Sequence, residues 1–76
     1  MIALTPVVVH AGKDESGQFV PIEIVWQNQL VYPITRILHT CYPKDYVVRY
    51  TILIGTKCQR YLYYDGKEWS ISAAIA

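Results

Sequence analysis

No part of this sequence has the pattern of an amphipathic helix. No window of about a dozen residues combines an apolar i, i+3, i+4 face with good helix formers. The chain also lacks the run of roughly 18 apolar residues that a membrane span needs. Its first residues, MIALTPVVVHAG, lack the basic segment of a signal peptide. We therefore expect a cytoplasmic protein without a membrane partner.

Neither sign of charge dominates the sequence. Seven Lys and Arg side chains face six Asp and Glu, which gives a net charge of +1. A dedicated duplex-DNA binder normally carries a basic stripe, and none is visible here. The charge balance therefore argues against a partner held by strong, long-range electrostatics.

Cysteine is scarce, and its spacing is not that of a metal site. Cys41 and Cys58 are the only two, and no C-x-x-C or H-x-x-x-H spacing occurs. An alternative is a tetrahedral metal site formed by His39, Cys41, Cys58 and His10. That His39 and Cys41 share a face does not support it, because residues two apart share a face in any β-strand. We expect no metal and no cofactor, and two free, reduced thiols packed as small hydrophobic groups.

The sequence also lacks a pattern for catalysis. No Gly-rich turn leads into a helix, so there is neither a nucleophile elbow nor a phosphate-binding loop. The acidic residues apart from Glu23 lie in turn-like stretches and read as solvated loop charges: Asp14, Glu15, Asp45, Asp65 and Glu68. We therefore expect no catalytic residue and no enzymatic activity.

What the sequence does have is β structure. Val, Ile, Thr, Tyr and Trp, which suit a pleated surface, alternate with polar residues between regular breaks. The predicted strands are residues 3–11, 19–26, 30–41, 46–54, 58–64 and 69–73. At 76 residues we expect a single all-β domain over residues 1–76. Its predicted architecture is a small, strongly bent antiparallel barrel of about six strands, SH3-like in proportion, which hides strand edges.

Three local features follow from the alternation. Ile22, Ile24 and Trp26 should share one face of the second strand. The chain should then turn at 27–29, where Asn28 tolerates a positive φ and Trp26 meets Tyr32 across the turn. The third strand keeps its apolar phase only if a β-bulge near residues 35–36 absorbs one residue.

Core and surface can also be separated by alternation. The predicted core comprises Ile24, Trp26, Ile34, Tyr50, Ile52, Leu62 and Trp69. The second half of the chain holds more Tyr and Arg than a thin core can absorb, and both types are enriched at binding hot spots. The predicted binding surface is the outward face of the fourth and fifth strands, around Arg49, Arg60, Tyr61 and Tyr63. The alternative is that these tyrosines only stabilise the sheet by cross-strand pairing.

The order P-x-x-I-x-W, Y-x-I, R-Y-T-x-x-I, L-Y, W resembles a family of short uncharacterised bacterial all-β proteins of the clostridial, Firmicutes type. The matching positions are Pro21, Ile24, Trp26, Tyr32, Ile34, Arg49, Tyr50, Thr51, Ile54, Leu62, Tyr63 and Trp69. This sequence departs from the family pattern at Asn28-Gln29, where Asp-Gly is usual, and in its compact CYPKDY loop. The resemblance implies a fold and no activity.

The leading hypothesis is a cytoplasmic, non-enzymatic binding or interaction module. One alternative is a barrel that binds single-stranded nucleic acid through exposed Tyr and Arg side chains. Another is a small metal protein or enzyme using His39, Cys41 and Cys58. The partner is therefore expected to be a protein or a single-stranded nucleic acid.

Overall fold

The computed structural model describes residues 4–73, which form six antiparallel strands joined in sequence order and closed into a barrel. The strands are β1 (Thr5–Lys13), β2 (Phe19–Val25), β3 (Val31–Cys41), β4 (Val48–Ile54), β5 (Cys58–Tyr64) and β6 (Trp69–Ile71). The prediction of an all-β, six-stranded antiparallel barrel is confirmed. The predicted strand bounds are within two residues of these, except that the predicted start at residue 3 lies outside the described residues. Among residues 4–73, no helix is long and apolar enough to cross a membrane.

Two strands belong to both sheets of the barrel. The first residues of β1 pair with β6 and the remainder pair with β2. In the same way, β3 pairs with β2 through residues 31–33 and with β4 from residue 34 onward. A strand that pairs with one neighbour through its first residues and with another through its remaining residues bends between the two sheets. β-Bulges produce such a bend.

Two bulges bend β3. Thr35 is the extra residue between the pairs formed by Ile34 and Arg36, and Leu38 is the extra residue after Ile37. The first bulge confirms the one predicted near residues 35–36; the second was not predicted. Because each bulge shifts the phase by one residue, Ile34 and Ile37 both pack against the core although they are three positions apart.

A further bulge corrects the prediction for β2. His10 pairs with Glu23, and the next residue of β1 pairs with Pro21, so Ile22 has no partner of its own. As a result Pro21 and Ile24 are buried, whereas Ile22 is 46% exposed. The expectation that Ile22 shares the inward face of Ile24 is wrong because strict alternation fails at a bulge.

The core lies inside the barrel. Its buried members are Ile24, Val48, Tyr50, Ile52, Leu62, Trp69 and Ile71, and Trp26 and Ile34 pack against them with other half-buried side chains. All seven predicted core residues therefore belong to this cluster. Alternation places Tyr50, Ile52 and Leu62 correctly because β4 and β5 pair without any register shift.

The turn at residues 26–30 lies where it was predicted, but its backbone geometry differs from the prediction. The amide of Trp26 donates to the carbonyl of Leu30 at 2.8 Å, which closes the hairpin. The residue with positive φ is Gln29, at 68°, and not Asn28 as predicted. Asn28 acts instead through its side chain, whose Oδ1 accepts a hydrogen bond from the Leu30 amide at 3.1 Å.

Candidate binding surface

The outward side chains of β3, β4 and β5 form three rows across neighbouring strands, which we call the outer face. The strand register gives the rows as Cys41–Arg49–Tyr63, His39–Thr51–Tyr61 and Arg36–Leu53–Gln59. Directly opposed residues on one face of a sheet have Cβ atoms about 5 Å apart, so each row is a line of neighbouring side chains. The outer face therefore joins two arginines, a histidine and two tyrosines.

The charge of this face is of one sign. The strands β3, β4 and β5 contain three arginines and no Asp or Glu. Two of the arginines, Arg36 and Arg49, project outward. The only close contact between a basic and an acidic side chain among residues 4–73 joins His10 Nδ1 and Glu23 Oε2, which belong to β1 and β2, at 3.6 Å. The cations of the outer face are thus not neutralised by acidic side chains of the described residues.

The guanidinium of Arg49 lies over the aromatic rings beside it. Its Cζ lies 4.6 Å from the ring centroid of Tyr61 and 6.0 Å from that of Tyr63. Its Nε is buried and has no hydrogen-bond partner within residues 4–73. Stacking of guanidinium on an aromatic face fixes the side chain while leaving N–H donors free for a ligand.

The rings of the outer face are less accessible than the sequence suggested. Tyr63 is only 6% exposed. The ring of Tyr46, from the loop before β4, covers it with centroids 4.7 Å apart, and Tyr61 meets it at 6.4 Å. Tyr63 therefore supports Arg49 and Tyr61 and offers no open ring face of its own.

Arg60 does not belong to this surface, which corrects the predicted grouping. It pairs with Ile52, a core residue, so its side chain starts on the inward side of β5. Its guanidinium reaches the end of the barrel and lies over the ring of Trp26, with Cζ 5.4 Å from the centroid. Strand alternation already separates positions 60 and 61, so the sequence contained the signal that was missed.

The candidate metal ligands are dispersed over the barrel. His39 and Cys41 lie on the outer face, Cys58 starts on the inward side beside Ile54, and His10 pairs with Glu23 in the other sheet. Within residues 4–73 no three His, Cys, Asp or Glu side chains form a group that could hold a metal ion. Cys41 and Cys58 are both unbridged and half-buried.

Two of the acidic residues have structural roles in turns. The Asp14 carboxylate accepts hydrogen bonds from the Ser16 hydroxyl at 2.7 Å and from the amides of Ser16 and Gln18. These bonds, that of the Ser16 hydroxyl above all, lower the pKa of Asp14. The hydrogen bonds from the amides of Glu68 and Lys67 lower the pKa of Asp65 in the same way. Both carboxylates stabilise hairpin turns, as expected for loop charges.

The barrel end formed by the starts of β2 and β6 and the end of β5 holds an aromatic cluster that sequence reasoning had not assembled. Trp69 stacks on Tyr64 with ring centroids 4.5 Å apart, and Phe19 and Tyr50 each lie 6.2 Å from Trp69. Burial, with a smaller contribution from Tyr42, raises the pKa of the Tyr50 hydroxyl.

The architecture thus defines the class: a small, closed, six-stranded antiparallel barrel with a basic outer face. Comparison of the chain with protein-family models, with curated proteins and with solved structures finds no significant match. The resemblance to short clostridial all-β proteins therefore stays a prediction.

Proposed function

We propose that this protein is a non-enzymatic binding module that binds single-stranded nucleic acid on its outer face. The observation that carries the proposal is the charge of the outer face, to which β3 and β4 contribute Arg36 and Arg49 while β3, β4 and β5 contain no acidic residue. Phosphate contacts by arginine supply most of the affinity of sequence-independent nucleic-acid binding. The modest net charge of the whole chain agrees with a small contact area rather than with wrapping of a duplex.

Arg49 is the residue expected to contribute most. Its guanidinium is ordered by Tyr61, so binding would immobilise little further side-chain freedom. The outer plane of a stacked guanidinium accepts an unpaired base, and its N–H groups donate to phosphate. Exposed His39 and Arg36, one row and two rows further along the same face, extend this contact in one direction.

Unpaired bases suit the face better than a duplex does. Bases stack on guanidinium and aromatic planes only when they are splayed from a helix, and each stacked base contributes about 1–3 kcal/mol. The outer face spans three strands, or roughly 10 Å across. A short single strand that crosses from the row of Arg49 to the row of Tyr61 would therefore contact both side chains.

The test is an NMR titration of the ¹⁵N-labelled chain with mixed-sequence single-stranded DNA and RNA. We expect shifts confined to the outer face, and affinity that falls with salt. In Arg49→Gln the affinity should fall about tenfold, equivalent to roughly 1.4 kcal/mol. The slope of log K against log salt should decrease by about 0.7 for each phosphate that the variant no longer neutralises.

Lys13→Gln is the matched control, because it removes one positive charge from the far end of β1 and leaves the outer face intact. This variant should bind nearly as the parent does. Equal reductions of affinity in Lys13→Gln and Arg49→Gln would show that only net charge matters. Shifts elsewhere on the barrel, or no shifts with either nucleic acid, would overturn the proposal and leave a protein partner as the remaining hypothesis.

A further inference from the structure

A cavity of about 360 Å³ opens at one end of the barrel, opposite the aromatic cluster around Trp69. Its lining residues, which define the barrel-end pocket, are Trp26, Tyr32, Ile54, Cys58 and Arg60. Trp26 directly follows β2, and the other residues lie at the start of β3, the end of β4 and the start of β5, so the ends of four strands position the pocket. This volume lies in the range of small-molecule sites.

The walls of the pocket are apolar and largely aromatic. Trp26 and Tyr32 meet edge to face, with centroids 6.5 Å apart and ring planes at 88°, so the two rings form adjacent walls at right angles. Ile54 forms an aliphatic wall. Tyr32 is 38% exposed, which places it at the mouth. A flat apolar group would contact three surfaces at once.

The pocket wall includes one cationic side chain, that of Arg60. The Nε of Arg60 donates to the Cys58 sulfur at 3.4 Å, and Nη1 donates to the carbonyl of Ser72 at 3.1 Å. With Trp26 on one face of the guanidinium, its position is fixed from three sides. Guanidinium has five N–H donors, so three remain on its Nη1 and Nη2 atoms.

The charge of Arg60 is not compensated by the described residues. No carboxylate of residues 4–73 forms an ion pair with it, and its two hydrogen-bond acceptors are neutral. A half-buried cation against apolar walls favours an anion that brings its own hydrogen-bond acceptors. A carboxylate matches the remaining fork of donors in a bidentate geometry, and one carboxylate neutralises one guanidinium.

We propose that the barrel-end pocket binds a small aromatic monocarboxylate. The carboxylate accepts hydrogen bonds from the free N–H groups of Arg60, and the ring lies between Trp26, Tyr32 and Ile54. This site is separate from the outer face, because Arg49 and Arg60 lie on opposite sides of the sheet. The two proposals can therefore fail independently.

Phenylacetate is a suitable probe, with phenylacetamide as its neutral analogue and acetate as the carboxylate without a ring. We expect phenylacetate to shift the indole N–H signal of Trp26 in NMR spectra and to leave that of Trp69 unchanged. Phenylacetamide and acetate should each bind at least tenfold more weakly. These comparisons use the unaltered chain, so they hold even if a variant folds poorly.

The two thiols supply an independent readout. Phenylacetate should slow alkylation of Cys58, which lines the pocket, while Cys41 on the outer face reacts at an unchanged rate and serves as the internal reference. Arg60→Gln should abolish the binding, and Arg49→Gln should keep it. Arg60→Lys keeps the charge without the fork of donors and should bind weakly.

Three results would overturn the proposal. Equal binding of phenylacetamide would show that the charge of Arg60 is not recognised. Equal protection of both thiols would place the ligand elsewhere. A single-stranded oligonucleotide that shifts Trp26 and displaces phenylacetate would assign the pocket to the nucleic-acid site.

Discussion

Trp26 and Tyr32 contact each other edge to face across the turn at residues 27–29, with ring centroids 6.5 Å apart. Such a pair contributes about 0.5–1.5 kcal/mol beyond the burial of its surface. The same two rings are walls of the barrel-end pocket. The contact that closes the β2–β3 hairpin therefore also shapes the proposed ligand site, and changes to either ring should affect both stability and binding.

The two tryptophans should differ in their contribution to stability. Trp69 is 9% exposed and stacks on Tyr64, whereas Trp26 is only half-buried. We expect Trp69→Ala to cost ~3–5 kcal/mol, which is most of the stability of a small domain, and Trp26→Ala to cost less. Urea denaturation measures both. Val47→Ala, at an exposed position, should change little. An unchanged unfolding midpoint in Trp69→Ala would contradict the core described above.

Gln29→Gly should stabilise the protein. Gln29 has φ of 68°, a conformation that costs residues with a side chain about 1 kcal/mol and costs glycine nothing. We expect a gain of roughly 0.5–1 kcal/mol in the free energy of unfolding. Gln27→Gly is the matched control, because residue 27 has no positive φ. The strain argument fails if the two variants have the same stability.

Stability at alkaline pH should depend on Tyr50. Because burial raises the pKa of its hydroxyl, the folded state favours the neutral phenol. The stabilisation that results from this pKa difference is fully present below the pKa of a tyrosine in the unfolded chain, about 10. It is lost as the pH rises through the higher pKa of Tyr50 in the folded state. Denaturation from pH 9 upward should therefore show a shallower loss of stability in Tyr50→Phe than in the parent. Tyr42→Phe, altered at an exposed position, should retain most of the parent's slope, and identical slopes in all three would refute the assignment.

Stability in acid should depend on Asp14 and Asp65. Their pKa values are lowered by hydrogen bonds in the folded state, so each stabilises the fold above the unfolded value of about 3.9 and ceases to do so as pH falls through the lower folded value. Asp14→Asn and Asp65→Asn should each reduce the loss of stability between about pH 4 and pH 2. Glu15→Gln, which removes an exposed carboxylate beside the first turn, should leave that pH dependence unchanged.

The regular strands could be predicted because alternation is a reliable signal wherever the register has no shift. β4 and β5 pair over seven consecutive residues without a bulge, and their inward and outward residues follow the alternation of the sequence; the misplacement of Arg60 came from setting that alternation aside. In β2 the alternation fails at Ile22, because the sequence does not show which residue a bulge will leave unpaired. The second bulge of β3, at Leu38, was missed for the same reason.

The candidate sites were predicted only in part. Placing Arg49 and Tyr61 side by side required only the pairing of adjacent strands. Burial of Tyr63 depends on Tyr46 folding back from a loop, and loop conformations leave no periodic signal in a sequence. The barrel-end pocket brings together residues from four strands, so it became visible only once the barrel closed.

Closure of the barrel also bears on how the chain folds. Every strand pairs with its neighbours in sequence, and the first residues of β1 pair in addition with β6 at the other end of the chain. The sequence-adjacent hairpins close short loops, whereas this last pairing must close a loop of nearly the whole chain at a larger entropic cost. A transition state in which the hairpins are formed and the β1–β6 seam is still open follows from this topology. Substitutions at Thr5, which pairs only with β6, should then accelerate unfolding while leaving the folding rate almost unaltered.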